Sequence, residues 1–441
     1  MLISFSVENF RSIRDRQTLS LARAGGGTVS RVTANDELAG GDLSPLAVLF
    51  GGNASGKSTV LDALAYVRWV VRSSARREVG EPLPTEPFLL DGESRTCPFS
   101  TELWFTVGGR EFGYSFSIEG GLVKTEQLKE VVLGSAKRSV RTLFSRHTEG
   151  AKARITTSTY LRGAKRAIIA ATRANSLFLS RAAQDNFEPL MEVYGWFADL
   201  GSGDEPPTRR ALTGDRGVAR LESDPGYQPW IVELLRQADF GVTGVGVATP
   251  ESPPPADLVR LFADASDTED TARVTEMLFR ANRQPRLWHQ GGPDAAGYPL
   301  PWGTESRGTQ SLWNLASDVY DSLKTGRTLV ADELSSLHPI LVRAILEMYQ
   351  FRRSNPKGAQ LIFTSHDISL LGSFGGQGYA LDRDQIWFTE KSASGVTTLI
   401  PLTDYRPRRD EDTERMYIQA RFGGVPSIGQ LSLPFDRTRD V

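Results

Sequence analysis

The sequence predicts an α/β fold, a mixed sheet with an antiparallel β lobe and a mainly helical inserted lobe, and three observations predict it. An apolar run at 46–50 enters a glycine-rich turn and then a helix from about Lys57 to Val71. The apolar residues of that helix, Val60, Leu61, Leu64, Val67 and Val71, fall at spacings of three and four, the stripe of a helix covering a sheet. Alternating segments at about 99–107, 111–118 and 122–132 are joined by Gly108-Gly109 and Gly120-Gly121, which reads as an antiparallel meander. From about residue 306 helical and strand patterns alternate again, as in a parallel sheet resumed after an interruption.

Taken in order, strands are expected at 2–7, 17–21 and 46–50, then the helix and the meander. Between 134 and 297 the reading turns to helices at 159–172, 185–198 and 227–238, separated by Gly/Pro/Asp-rich stretches such as GSGDEPPTRR and ATPESPPPAD. After that come a helix at 308–323, a strand at 327–331, a helix at 338–351, a strand at 359–363, a short helix after His366, and strands near 385–389 and 396–400. The domain expectation follows: residues 1–133 and 298–405 form two halves of one head, 134–297 an inserted lobe, and 406–441 a C-terminal tail. No repeat period and no sustained heptad run is present, which argues against a long coiled-coil arm.

Composition narrows the class. The 441 residues are 39% hydrophobic and 24% charged, the mean hydropathy is -0.29, and no apolar run approaches the ~20 residues of a membrane span. Membrane integration and wholesale disorder are excluded. The N-terminus alternates like a strand and has no basic, apolar secretory leader, so a cytoplasmic location is expected. The single cysteine, Cys97, permits neither an internal disulfide nor a Cys-based zinc site. With 51 basic against 53 acidic residues the net charge is -2, so no global basic field marks a dedicated nucleic-acid binder.

Four motifs carry chemistry. Gly51-Gly52-Asn53-Ala54-Ser55-Gly56-Lys57-Ser58 matches G-x-x-x-x-G-K-[ST], between an apolar strand and an amphipathic helix. There the backbone amides of Gly51, Asn53, Ala54, Ser55, Gly56 and Thr59 would curl round phosphates. Lys57 would add a point charge, and the Ser58 hydroxyl would ligate Mg²⁺. The strand Thr328-Leu329-Val330-Ala331 ends in Asp332-Glu333. In that setting Asp332 would hold Mg²⁺ and Glu333 would polarise the attacking water as general base, whereas alone the pair reads equally well as an acidic strand end. His366 follows the next apolar strand and would emerge at the same sheet edge, where it could meet the γ-phosphate or the lytic water. Glu305-Ser306-Arg307-Gly308-Thr309 opens the helix before the Asp-Glu strand and by itself is an ordinary serine cap.

The order phosphate loop, Ser-x-Gly helix start, Asp-Glu strand and strand-end histidine resembles the ABC ATPases, in particular the cytosolic RecF/SMC-like branch. Asn9-Phe10-Arg11-Ser12-Ile13, Ser336-Leu337-His338-Pro339 after Asp332-Glu333, Thr364-Ser365-His366-Asp367 and the tail 417–426 are similar to the AAA-family ATPases of bacterial abortive-infection loci, of AbiL/RloA type. The resemblance spans both ends of the chain and is loose in the middle. It implies an ABC-type head with P-loop fold, ATP and Mg²⁺ as cofactors, and a homodimer or higher oligomer with composite ATP sites. Ser306 and Gly308 would then meet the γ-phosphate held by the opposite subunit, and Arg11 would reach the phosphates. Arg11 reads equally well as a surface arginine in a turn. Arg307 stands where many relatives carry a small or acidic residue. The glutamine that usually links Mg²⁺ to the signature lobe has no motif here; Gln17 and Gln127 are the nearest candidates.

From Lys137 to Arg181 eleven basic residues face one acid, Glu149, a local excess of +10. This segment, 137–181, reads as a nucleic-acid contact, as a dock for an acidic protein, or as a solvated face balanced by the acids of 251–276. In the tail, Arg406, Arg408 and Arg409 precede Asp410, Glu411, Asp412 and Glu414, a self-screened surface. The leading functional expectation is an ATP-hydrolysing switch that dimerises around ATP-Mg²⁺ and controls a separate effector, a nuclease or toxin, in anti-phage defence. Only 75 residues follow His366, so any toxic activity is expected on another chain. The competing readings are a RecF-like DNA repair ATPase and, more remotely, a transporter subunit.

Overall fold

In the computed structural model the described residues are 1–23, 43–133, 138–150, 152–201, 215–238, 241–250, 252–262, 268–291, 297–334, 337–373, 378–406 and 411–422. They gather into two units, the larger from 2–198 and 362–422, the smaller from 199–361 together with Met1. The larger unit begins with β1 (Leu2–Glu8), β2 (Gln17–Ser20), β3 (Leu46–Phe50), α1 (Lys57–Ser73), β4 (Phe99–Val107), β5 (Arg110–Glu119) and β6 (Leu122–Leu133). It continues through β7 (Arg138–Glu149), β8 (Lys152–Thr157), α2 (Arg166–Ala171), α3 (Phe178–Gln184) and α4 (Glu188–Ala198). The smaller unit carries α5 (Arg216–Ser223), α6 (Tyr227–Gln237), β9 (Val242–Ala248), α7 (Ala256–Phe262), α8 (Thr268–Ala281), β10 (Gln284–His289), β11 (Tyr298–Leu300), α9 (Arg307–Thr325), β12 (Thr328–Ala331) and α10 (Pro339–Gln350). The unit boundary falls within β13 (Gln360–Thr364), after which β14 (Ile386–Lys391), β15 (Thr397–Pro401) and α11 (Thr413–Ile418) complete the larger unit.

The larger unit holds a seven-stranded antiparallel sheet in the order β2-β1-β4-β5-β6-β7-β8. Its tight connectors are the two expected glycine pairs. Gly108 and Gly109 have φ of 55° and 71°, Gly120 and Gly121 59° and 74°, the mirror-image turn backbone that matches strand twist and that side-chain-bearing residues resist. The strands β7 and β8 lie at the start of the segment expected to be mainly helical, ahead of the first helix expected there at 159–172. A register shift at Leu128/Lys129 buries both Leu143 and Phe144, and the next inward positions are Arg146 and Thr148. Polar residues on the buried face erase the period-two signal on which a sequence reading depends.

A second sheet takes the order β13-β3-β14-β15 within this unit. Here β14 runs parallel to β3, with Ile386 opposite Val48, and antiparallel to β15. All five residues of β3 are buried, which explains its unbroken apolar run. The stripe of α1 is buried as its spacing predicts, and Arg68 on the same helix donates from Nε to Phe197 O at 3.1 Å, at the C-terminal end of α4. Phe105 stacks on Trp196 with ring centroids 4.0 Å apart, a contact that pins α4 onto the antiparallel sheet.

In the smaller unit α9 is the central helix. Trp313 is fully buried and its indole N–H donates to Asp215 Oδ1 at 2.9 Å, while the same oxygen caps α5 through Val218 N at 3.0 Å. Arg216 donates to Asp318 at 2.7 Å, and Arg220 pairs with Asp321. A three-stranded sheet, β11-β10-β9, also departs from the helical expectation. Glycines interrupt β9, and Trp288 of β10 fills the space they leave: a Cβ at Gly246 would lie 2.9 Å from its ring. Beside β12, Gln360 N donates to Arg327 O at 3.3 Å. No described helix is long and apolar enough to cross a membrane.

Candidate nucleotide-binding site

The phosphate-loop motif folds as its spacing requires. β3 delivers Gly51 to the end of a buried strand, and α1 starts at Lys57 with Gly56 as its N-cap and no side-chain cap. The first amides of a helix have no intrahelical acceptor, so an uncapped start of a 17-residue helix presents donors and the positive dipole end to an anion. Gly56 has φ 107°, and a Cβ there would lie 2.3 Å from Thr397 Oγ1, so both backbone and space demand glycine. Lys57 is buried, and its ammonium donates to Gly51 O at 2.8 Å and Gly52 O at 3.0 Å. Its charge thus sits inside the curl of the loop. Asn53, Ala54 and Ser58 are exposed and Thr59 half-buried.

Three residues outside the motif support it. Thr389 of β14 and Thr397 of β15 are both fully buried. Thr389 Oγ1 lies 2.6 Å from Ser55 Oγ, and Thr397 Oγ1 donates to Ser55 O at 2.9 Å. Ser12 Oγ stands 2.9 Å from Thr397 Oγ1 and 3.2 Å from Thr59 Oγ1, and Ser12 O accepts from Thr397 N at 2.7 Å. A sequence reading misses the threonines because a hydroxyl on an apolar strand has no meaning until strand register brings it under the loop.

Arg11 sits in a turn with φ 49° and donates from Nε to Glu86 Oε2 at 2.5 Å and from its second arm to Asp62 of α1. Chiefly the bond to Glu86, with Asp62, holds its guanidinium above the ordinary arginine value. The arginine is therefore tied to two carboxylates, the surface-turn arrangement. His366 is exposed beyond β13, where Ser365 N donates to Leu49 O at 3.0 Å, so the histidine follows a strand end lying beside the end of β3. Gln17 accepts from Leu399 N at 2.8 Å, and Gln127 pairs within the sheet between Ser115 and Ser145, positions that serve the sheets.

The remaining motif residues belong to the smaller unit. Asp332 and Glu333 follow β12 with exposed side chains and line a depression of about 250 Å³ together with Ser311, Asn314, Asp318 and Leu337. Glu333 has φ 58°. A left-handed backbone at a non-glycine residue costs energy; Arg11, Ala54 (φ 59°) and Glu333 share it with Asn9, Asn186, Arg406 and Ala420 among the described residues. Ser306 is the N-cap of α9, its Oγ accepting from Thr309 N at 3.1 Å, and Gly308 lies in the first turn. Glu305 is buried and lies 2.8 Å from His289 Nε2, which anchors the start of α9 to β10. His338, from the Ser-Leu-His-Pro string, caps α10 through Ile340 N at 3.3 Å.

The basic segment finds partners of its own. Arg138 pairs with Glu111, Arg141 donates to Glu130 at 2.9 Å, and Arg181 to Asp185 at 2.8 Å. Arg146 is wholly buried 3.8 Å from Glu126 and donates to the carbonyls of Arg173, Ala174 and Ser176. Glu126 in turn accepts from Phe178 N at 2.7 Å, Leu179 N at 3.0 Å and Tyr114 Oη at 2.9 Å. Burial pushes the Glu126 carboxyl up and the Arg146 guanidinium down, each partly offset by the other. Three of the eleven cations, Arg138, Arg141 and Arg146, therefore face acids of β5 and β6 inside the β lobe. Lys137, the tail charges Arg408, Arg409 and Asp410, and the tail from 423 lie outside the described residues.

A buried parallel strand, a lysine-bearing glycine loop and an uncapped helix start define a P-loop nucleotide-binding protein of α/β class, with the mixed sheet expected of an ABC-type head. The chain belongs to the AAA-domain family whose description names the AbiEii toxin and a Type IV TA system; that family's model matches residues 46–237 and 258–372, more than half of the chain. No curated protein matches. Solved structures with a similar course include the SMC head domain from Thermotoga maritima, 12% identical over 91% of this chain and 98% of that one, with a TM-score of 0.38. An SMC head bound to the C-winged helix domain of ScpA is 12% identical over 92% and 99%, with a TM-score of 0.45. A third is an Smc head with an extended coiled coil, bound to the C-terminal domain of ScpA derived from Pyrococcus furiosus; it is 11% identical over 95% and 99%, with a TM-score of 0.38. Scores this low carry no argument about the fold, which rests on strand order, the phosphate loop and the family match.

Proposed function

We propose that this chain binds and hydrolyses ATP as a molecular switch, dimerises around ATP-Mg²⁺, and regulates a separate effector, a nuclease or toxin, in abortive-infection defence. The observation that carries the reading is the phosphate loop, where an uncapped helix start follows directly on a loop whose carbonyls hold the Lys57 ammonium. Triphosphate would replace the loop carbonyls as the lysine's partner, and the first-turn amides of α1 would complete the cradle. Ser58 and Asp332 suit Mg²⁺: both are exposed oxygen donors. Among the described residues no cluster of three or more His, Cys, Asp or Glu forms a protein cage, and Mg²⁺ is commonly held by few protein oxygens together with waters and substrate phosphates. Bound there, the ion would neutralise charge on the phosphates.

Glu333 would accept the proton of the attacking water and His366 would contact the γ-phosphate or that water. Ser306 and Gly308, at the dipole end of a 19-residue helix, would read the γ-phosphate of a second copy. Family membership supports a link to a toxin system, since the family's description names one, and the separate effector is our reading of that link. The experiment is a calorimetric titration with ATP. Lys57→Ala should abolish binding at millimolar nucleotide, because phosphate charge would be left unmet in the loop. Undiminished affinity would sink the assignment.

A further inference from the structure

The hydroxyls beneath the phosphate loop form a continuous run: Thr59 Oγ1, Ser12 Oγ, Thr397 Oγ1 and the Ser55 carbonyl, at steps of 3.2, 2.9 and 2.9 Å. It links α1, the turn after β1, β15 and the loop itself. Thr397 is fully buried, where valine would fill the same space, so its hydroxyl is not there for solvent. Its hydroxyl acts instead on one peptide group, because Ser55 O belongs to the peptide whose N–H is that of Gly56. A carbonyl only accepts, so the run ends there. Thr397 also occupies the space beneath Gly56, where a Cβ would fall 2.3 Å from Oγ1. The Ser55-Gly56 peptide is thus held by a hydrogen bond from a hydroxyl that leaves no room for a side chain at Gly56.

We propose, resting on the nucleotide reading above, that Thr397 is a positioning residue for phosphate binding and that Ser12 orients it. By fixing the Ser55-Gly56 peptide, Thr397 aims the Gly56, Lys57 and Ser58 amides into one cradle. Without the hydroxyl the peptide librates, and phosphate is bound by donors that must first be ordered. The loss therefore falls on nucleotide affinity and KM, while the chemical step, served by groups elsewhere, is spared.

The test compares wild type, Thr397→Val, Thr397→Ser and Ser12→Ala for ATP affinity by calorimetry, steady-state KM and kcat, and melting temperature. Thr397→Val should weaken ATP binding and raise KM about tenfold, the scale of one lost hydrogen bond in a preorganised site, with kcat within about twofold. Thr397→Ser restores the hydroxyl and should return both values to within about twofold of wild type. Ser12→Ala should move affinity the same way by a smaller factor, and it serves as the test should the valine variant fail to fold. Wild-type ATP affinity in folded Thr397→Val, or no recovery in Thr397→Ser, overturns the proposal while leaving the nucleotide site intact. Absence of ATP binding by the wild type overturns both.

Discussion

Replacing Arg146 with methionine keeps the apolar stem of the side chain but removes the guanidinium from the β lobe. The lost groups are specific. Arg146 donates to Arg173 O at 3.0 Å, Ala174 O at 3.1 Å, Thr148 Oγ1 at 3.1 Å and to Ser176 O, and it is the cation facing the fully buried Glu126. Removing one member of a buried ion pair typically costs about 3–5 kcal/mol, because the other charge is stranded. Arg146→Met should fall in that range in urea unfolding. Glu126→Gln in the same chain should recover part of the loss, since it removes the stranded charge. The deficit should also depend on pH. Burial raises the Glu126 carboxyl above its ordinary 4.5, and Arg146 partly opposes this. A group whose folded pKa is raised contributes stability that is fully present below the unfolded value and is lost as pH rises through the folded one. Without Arg146 the folded value rises further, so the deficit should be larger at pH 8 than at pH 5. A loss under about 1 kcal/mol, or an equal loss at both pH values, would refute the stranded-charge argument.

Asp215→Ala removes both the α5 cap and the acceptor of the Trp313 indole; it should cost about 2–3 kcal/mol in denaturant unfolding, and Asp215→Asn should recover most of it. Ser306→Arg should lose about 1 kcal/mol of stability as a cap in any case. If Ser306 also reads the γ-phosphate across a dimer, turnover per folded molecule should drop at least tenfold, a barrier increase of about 1.4 kcal/mol. Melting temperature and turnover measured on one preparation separate the two roles.

The strand, glycine loop and helix at 46–73 were legible because each level of the sequence agrees: an unbroken apolar run, a motif with a mechanism, and a three-four stripe. The glycine connectors of the meander were legible for a similar reason, since paired glycines between alternating segments leave few other conformations. β7 was not, because its inward face carries Arg146 and Thr148, and the partners that make those residues buriable lie on β6 and before α3. β9 was hidden by glycines whose missing side chains are replaced by Trp288 from the next strand. The support of the phosphate loop by Thr389 and Thr397 depends on residues more than 330 positions away, a distance no local pattern reaches. The partners of Arg138, Arg141 and Arg146 in the basic segment were equally out of reach. A charge count registers the eleven cations but not Glu111, Glu126 and Glu130 across the ladder.

The most direct measurement of the switch is the mass of Glu333→Gln by light scattering with and without ATP-Mg²⁺. The amide keeps the shape of the side chain but cannot accept a proton from water, so the variant should retain ATP and accumulate the bound state. The account predicts a 48.4 kDa species without nucleotide and twice that mass with it. The same mass in both conditions, in a variant that calorimetry shows to bind ATP, would contradict the nucleotide-closed dimer.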